Sequence, residues 1–443
     1  MRGTINGRPT KEFFVNMITR DITIQDAILD LLDNSIDGAK NKNEEDFQGL
    51  FVKLTLNKDH FIVEDNCGGF SLEIAKKYAF RFGRPTSHTN NKQSIGRFGV
   101  GMKRALFKMG KTFEVESKTA DDHFQVRVDV DEWKNKNDSN GEGTLEDWSF
   151  SYNQVSPDSE NISNPGTFIK VEGLYKEVSD QFEDSDFMDT LHNDIERVLI
   201  FSISKGLKIY LNGKIMKVHN IHIFNDKTKP IKIFKEKNEV SYRLFAGLGE
   251  TGKPRESGWY IFCNDRLVLE ANRNEITTWE VGSNPRYTND FAMFRGVLFI
   301  NSDETINLPL TTTKKGVDTT SESYRYILPF MKDALWTVTS FLKKVKKLDK
   351  PNEYRSELGE SESNRLNILT MRHLEGLTSE SKFIPPDLDY EKLLTKDDYV
   401  RIAFYVKRKL AEELKTKLDV KNFKSIGEEV LNYYLKMEEI DHE

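Results

Sequence analysis

Residues Ile24–Ala39, IQDAILDLLDNSIDGA, constrain this chain more than any other stretch. Wound as a helix at about 100° per residue, they gather Asp30, Asp33, Asn34 and Asp37 into one narrow arc. Ile28, Leu31, Leu32, Ile36 and Ala39 cover the opposite side. A solvated acidic face is one reading of that arc. Two features favour another. Asn34 is a mediocre helix former, and the arc holds no Lys or Arg, which an ordinary solvent face mixes in. A carboxylate and a carboxamide one turn apart suit a different task, orienting a water and holding a hard cation. Such a helix requires a phosphate-binding apparatus elsewhere in the chain.

The glycines at 96, 99 and 101 supply one, because they open directly into a helix carrying Lys103 and Arg104. Free backbone N–H groups at a glycine-rich helix start cradle phosphates, helped by the helix dipole. Between the two lies a hairpin: LFVKLT alternates apolar and polar residues, NKD makes the turn, and FIVED returns. Its second strand ends in Asp65, followed by Asn66, Cys67, Gly68 and Gly69. An aspartate at the end of an apolar strand can accept from the exocyclic amino group of a purine, and the glycines let a base approach the backbone. SLEIAKKYAFRFG reads as a Ser-capped helix. Strands are expected at TFEVESKT and HFQVRVDV, long insertions over 131–166, and a strand at PGTFIKVEGL.

A helix over about 187–204 then leads into LKIYLNGKIMKV, with an Asn-Gly turn. Further strands are expected at VSYRLFAGL, GWYIFCNDRLVLE and GVLFINS, then the loop LPLTTTKKGVDTTSES and a helix over about 324–344. NEYRSELGESESN is a linker by composition. The last residues read as a half-buried strand, VRIAFYV, followed by two amphipathic helices.

Composition narrows the setting. At 443 residues the chain is long enough for about two or three domains. A net charge of −6 makes any basic surface local. Cys67 and Cys263 form no metal or disulfide spacing, which argues for a reducing compartment. With no apolar signal core and no 18-residue apolar run, a cytoplasmic protein without a membrane span is expected.

In joint order and spacing these motifs resemble those of the GHKL ATPase superfamily, which includes type II topoisomerases, heat-shock chaperone ATPases, mismatch-repair ATPases and the microrchidia (MORC) ATPases. DLLDNSIDGA resembles the first box, EDNCGGF the second, GRFGVGMKRAL the third, and GTFIKV the Gly-Thr strand. The resemblance implies a Bergerat-type α/β sandwich over 1–185 that binds ATP and Mg²⁺. Asn34 would hold the metal beside Asp37, Asp65 would read adenine, and Gly69 would form the base-side turn. Gly96, Arg97, Phe98, Gly99, Val100 and Gly101 would surround the phosphates with Lys103, Thr167 would join the adenine-side water network, and residues 86–95 would form the lid. Two departures stand out. The family's general base is usually Glu, whereas position 30 is Asp, with its carboxylate about 1.5 Å further back for want of one methylene. Cys67 stands where the second box usually has its first glycine.

The middle third, 186–348, resembles the family's transducer domain. GWYIFCNDRLVLE is similar to the strand and Asn-x-Arg turn of mismatch-repair and microrchidia ATPases, and TTTKKGVD to their Thr-Lys loop. Lys314 matches the catalytic lysine best, and Lys315 is the near alternative. A linker or helical connection over 349–395 would lead to residues 396–443, which resemble a ribbon–helix–helix module presenting Arg401, Tyr405 and Lys407 to duplex DNA; a small structural cap is the other reading. The expected protein is therefore an α+β, slow Mg-ATPase with Asp30 and Lys314 as its catalytic pair, working as a homodimeric clamp on DNA. A chaperone-like remodeller of protein clients and a regulatory subunit with little hydrolysis are the alternatives. A histidine kinase fits poorly because the transducer-like third follows the nucleotide motifs, where a kinase would carry a dimerising His helix before them. A repair endonuclease fits poorly because the C-terminal part has no metal-ligand cluster.

Overall fold

The computed structural model describes residues 9–83, 99–137, 146–155, 162, 164–250, 253–311, 313–348, 350–368, 380–386, 405–420 and 422–437. The lid residues 86–95, the expected phosphate residues Gly96, Arg97 and Phe98, and strand residues 400–404 with Arg401 lie outside that set. The chain divides into two units, 1–388 and 389–443.

In the larger unit, α1 (Lys11–Arg20) precedes α2 (Ile24–Lys42). Thr23 caps α2: its hydroxyl accepts from Asp26 N and donates to the Asp26 carboxylate, a reciprocal arrangement that fixes where the helix starts. The expected hairpin forms as β1 (Phe51–Leu56) and β2 (His60–Asp65), paired antiparallel. Ser71 caps α3 (Leu72–Ile74), which runs on as a π-helical turn at Ala75–Ala79. After α4 (Gly101–Met109) come β3 (Gly110–Lys118), β4 (His123–Asp129) and α5 (Val130–Asn135). The insertion between 131 and 166 is less featureless than its polar composition suggests. Trp133 stacks on Phe150 at 5.2 Å, and Trp148 and Phe82 close the same cluster. Beyond it lie β5 (Asn153–Gln154), β6 (Gly166–Leu174), α6 (Lys176–Glu183), α7 (Ser185–Val198), α8 (Ile200–Ser204), β7 (Lys208–Leu211) and β8 (Lys214–Ile215).

These strands form one eight-stranded sheet in the order β5-β4-β3-β6-β2-β1-β7-β8, with β7 parallel to β1 and the other pairs antiparallel. The sheet therefore runs past residue 185, the boundary expected from sequence, because β7 completes the edge beside β1. The single helix expected over 187–204 is broken at Leu199, where φ −106° and ψ 22° leave the helical region.

The second sheet orders β10 (Ile231–Lys237), β11 (Val240–Leu248), β14 (Phe294–Asn301), β12 (Gly258–Cys263) and β13 (Arg266–Asn272). Every residue of β12 is buried, as befits an interior strand covered on both faces. The long α9 (Glu322–Val345) packs along β11 and β14. A short β9 (His222–Phe224) pairs with β15 (Arg365–Asn367).

The stretch expected as a linker or helical connection opens as a helix, α10 (Pro351–Ser361). Proline at its first turn is tolerated there, and the Glu and Arg residues that follow are good helix formers. Glu362, just past its end, is buried and accepts from Thr228 N at 2.7 Å and Asp226 N at 3.0 Å. In the smaller unit, helices Arg408–Lys417 and Phe423–Met437 form as expected. Leu410, Phe423, Val430, Leu431 and Tyr434 remain exposed on them, while Ile426 is buried.

Close backbone approach at β6 gives a test of the fold. A Cβ on Gly166 would lie 1.9 Å from the Asp65 carbonyl oxygen, a contact that only backbone displacement relieves. Gly166→Ala is expected to destabilise the protein by about 3 kcal/mol or more. Urea denaturation would measure the loss, and an unchanged midpoint would contradict this packing of β6 against the Asp65–Asn66 turn.

Candidate functional site

The acidic arc of α2 is not solvated. Asp30 and Asp33 are 3% and 0% exposed. A buried carboxylate is costly unless it is paired, and here cations arrive from three other elements. Arg104 on α4 donates to Asp30 Oδ2. Arg266, the first residue of β13, pairs with Asp33 Oδ1. Lys314 stands 3.1 Å from Asp30 Oδ1 and 2.7 Å from Asp33 Oδ2, bridging both. Burial alone would raise the Asp30 pKa, but Lys314 and then Arg104 outweigh it and hold the carboxyl below its ordinary range. Burial would likewise lower Lys314, yet Asp30 and Asp33 raise it. Both groups are therefore charged at neutral pH.

Lys314 reaches the helix from a tight loop whose ends pair at Leu310 and Val317. Its own backbone sits at φ +55°, and its N–H donates to Thr311 O at 3.0 Å. Lys315 points elsewhere: its ammonium lies 2.6 Å from Asp26, and its side chain is half exposed.

Beside this network lies a cleft of about 280 Å³. Among the expected residues, Asp30, Asn34, Asp37, Asp65, Gly69, Gly99, Val100, Gly101, Lys103, Thr167 and Lys314 line it. At one end Asp65 accepts the Ser35 hydroxyl at 2.7 Å, Cys67 N–H at 2.9 Å and Thr167 N–H at 3.2 Å. Burial pushes the Asp65 pKa up, and these three donors oppose it. The glycine turn that follows is fixed from both sides: Ser117 donates to Phe70 O at 2.9 Å and accepts Phe70 N–H at 2.8 Å. Gly69 adopts φ +63°, and a Cβ there would meet the Lys118 carbonyl at 2.3 Å, so the turn requires glycine. The Cys67 side chain is buried, with its thiol toward Phe51 O at 3.8 Å, and burial raises its pKa above the ordinary thiol range.

At the other end α4 begins at Gly101, and no side-chain cap closes its start. The first N–H groups of such a helix attract anions. Lys103 lines the cleft, but its ammonium donates to Ala79 O at 2.6 Å, which ties α4 to the π-helical turn. Asn34 is exposed to the cleft from α2. Its amide oxygen is a hard donor of the kind Mg²⁺ takes together with waters and substrate phosphates.

Residues 22–161 match the family model described as histidine kinase-, DNA gyrase B- and HSP90-like ATPase. This segment is a GHKL-type ATPase domain. A domain of this type binds ATP. A search of curated proteins returns no match to the chain. The matched segment stops short of β6, yet β6 supplies Thr167 and lies between β2 and β3 in the GHKL sheet. Among the described residues, no group of three or more His, Cys, Asp or Glu side chains could hold a metal, and no helix is long and apolar enough to cross a membrane.

Sequence reasoning missed Asp33, Arg104 and Arg266 as members of the site. Asp33 sat in the polar arc and Arg104 in the glycine-rich motif, but nothing local indicated that they would be buried as ion pairs. The signal for Arg266 was its place directly after the turn of an apolar hairpin.

The Asp65 carboxylate supplies the next expectation. Asp65→Asn should weaken ATP binding by about 1.5–3 kcal/mol, the worth of a charge-assisted hydrogen bond, with the fold retained. Calorimetric titration of the folded variant decides it, and unchanged affinity would remove Asp65 from the base-reading role.

Proposed function

We propose that this protein is a Mg-ATP-hydrolysing GHKL ATPase in which Asp30 orients the attacking water and Lys314 stabilises the charge that develops on the γ-phosphate. The observation that carries this reading is the meeting of Asp30 with Lys314, 3.1 Å apart at the wall of the cleft, although the two come from different sheets' surroundings. Asp65 and Thr167 hold the adenine end, and the start of α4, from Gly99 through Gly101, receives the phosphates with the residues that precede it. Asn34, with Asp37 nearby, holds Mg²⁺, which when bound neutralises phosphate charge. The second sheet and its lysine loop act as the transducer.

Hydrolysis is slow on this reading. A carboxylate held below its ordinary pKa is a weak proton acceptor, and Asp30 has both the shorter side chain and two cationic partners. The same observation favours a second reading, an ATP-binding regulatory subunit that turns over little. The two separate cleanly. Asp30→Ala should bind ATP but not hydrolyse it, and Lys314→Ala should bind nearly normally while turning over about 10² or more slower. Steady-state ATPase assays with calorimetry read both effects. Wild-type turnover no faster than the Asp30→Ala variant would favour the regulatory subunit.

We further propose that two copies close around duplex DNA when ATP binds. Support comes from the smaller unit, whose helix pair leaves several large apolar side chains exposed and offers a small core of its own, a situation a second copy relieves. Tyr405 is fully exposed, and Lys407, Arg408 and Lys409 follow it on the surface, suited to phosphate contacts alongside Arg401. Duplex DNA should then stimulate ATPase activity, and the stimulation should fall steeply with salt. Arg401→Ala combined with Tyr405→Ala should weaken DNA binding without changing basal turnover. Absence of stimulation at any salt concentration would favour a remodeller of protein clients.

A further inference from the structure

The turn joining β12 to β13 is unusually well fixed. Asn264 and Asp265 both adopt positive φ, 46° and 73°, as a two-residue type I′ turn requires. Asn264 exchanges two hydrogen bonds with Ser302, donating to its carbonyl at 2.9 Å and accepting its N–H at 3.0 Å. Asp265 faces Lys205 at 3.8 Å and Lys40 of α2 at 4.0 Å. The next residue, Arg266, is 2% exposed and engages Asp33. Neither Arg266 nor Asp33 lines the cleft, whereas Asp30 and Lys314 do.

Asp33 thus stands between a cation of the second sheet and the ammonium at the cleft wall. Lys314 is already closer to Asp33, at 2.7 Å, than to Asp30, at 3.1 Å. With Arg266 offsetting part of the Asp33 charge, Lys314 can be shared with Asp30 at the cleft wall. Without it, a fully buried carboxylate would have Lys314 as its principal counter-charge and would draw the ammonium away from the cleft. Arg is suited to this post because its fork stays planar and charged under burial.

We propose that Arg266 is a positioning residue for hydrolysis: from the second sheet it holds Asp33, and through Asp33 it sets where the Lys314 ammonium stands. This inference rests on the reading that Lys314 acts on bound ATP. It makes the Asn264–Arg266 turn a second link, besides the lysine loop itself, between the second sheet and the chemistry.

The test uses the full-length protein and two readouts: steady-state hydrolysis, and trapping of ADP with aluminium fluoride, which mimics the transferring phosphoryl group without turnover. Arg266→Ala should lower kcat by about 10²-fold, the scale of a misplaced reacting group, while ATP and ADP affinities stay within about twofold. Trapping should weaken in step with kcat. Arg266→Lys should restore part of both, since an ammonium keeps the charge but not the fork. In a Lys314→Ala background, Arg266→Ala should cost nothing further, because both changes act through one group. Should Arg266→Ala fail to fold, Arg266→Gln keeps much of the side chain's bulk without its charge, and the same loss of kcat at constant ATP affinity is expected. Equal losses in kcat and ATP affinity, or additive effects of Arg266→Ala and Lys314→Ala, would overturn the positioning role. If Lys314→Ala leaves both hydrolysis and trapping intact, the catalytic reading of Lys314 fails and the inference falls with it.

Discussion

Two carboxylates on one turn of α2, Asp30 and Asp33, are buried because three cations converge on them from separate elements. The rest of the structure can be understood as the scaffold for that convergence. Burial of an unpaired carboxylate costs several kcal/mol, so none of the four elements involved is stable in this position without the others. α4 must lie against α2 to bring Arg104, β13 must begin at the turn to bring Arg266, and the loop between Leu310 and Val317 must fold back to bring Lys314. The network adds a tie of charge between the GHKL domain and the second sheet, and charge pairing at fixed geometry is directional where apolar packing is not.

Much of the fold is legible in the sequence. The polar arc and the apolar side of the helix mark α2; alternation and the NKD turn mark β1 and β2; the Asn-Gly turn marks the β7–β8 hairpin. These are local signals, set by capping, side-chain alternation and positive-φ turn residues. What was not legible is long-range. That β7 would add to the first sheet depends on a parallel pairing with β1 across more than a hundred residues, which no local pattern encodes. The helical state of α10 was hidden by a composition rich in Glu and Ser, and it is anchored by Glu362 capping backbone N–H groups near residue 227.

The site divides in the same way. Residues whose role is set by their own backbone, such as Gly69 in its left-handed turn and Gly101 at the start of α4, are visible as motifs. Residues whose role is set by a partner, such as Asp33 and Arg266, are visible only once the partner is in place. Lys314 and Lys315 illustrate the limit: adjacent, identical in chemistry, and separated by which carboxylate of α2 each one reaches, Asp30 and Asp33 or Asp26.

The break at Leu199 carries a mechanical consequence. Leu199 and Ile203 belong to the apolar core under the eight-stranded sheet, while Ile200 and Phe201, on the other side of the same short helix, belong to the core of the second sheet, where Phe201 meets the rings of Phe262 and Phe299 at 5.0 and 5.7 Å. One turn and a half of chain is therefore common property of two cores. Neither sheet can slide over the other without pulling α8 out of one of them, so small tilts about this wedge are the cheap displacement and translation is the expensive one. α8 is thus a wedge held by both cores, and Lys205 directly after it faces Asp265 at 3.8 Å, beside the turn that delivers Arg266 to α2.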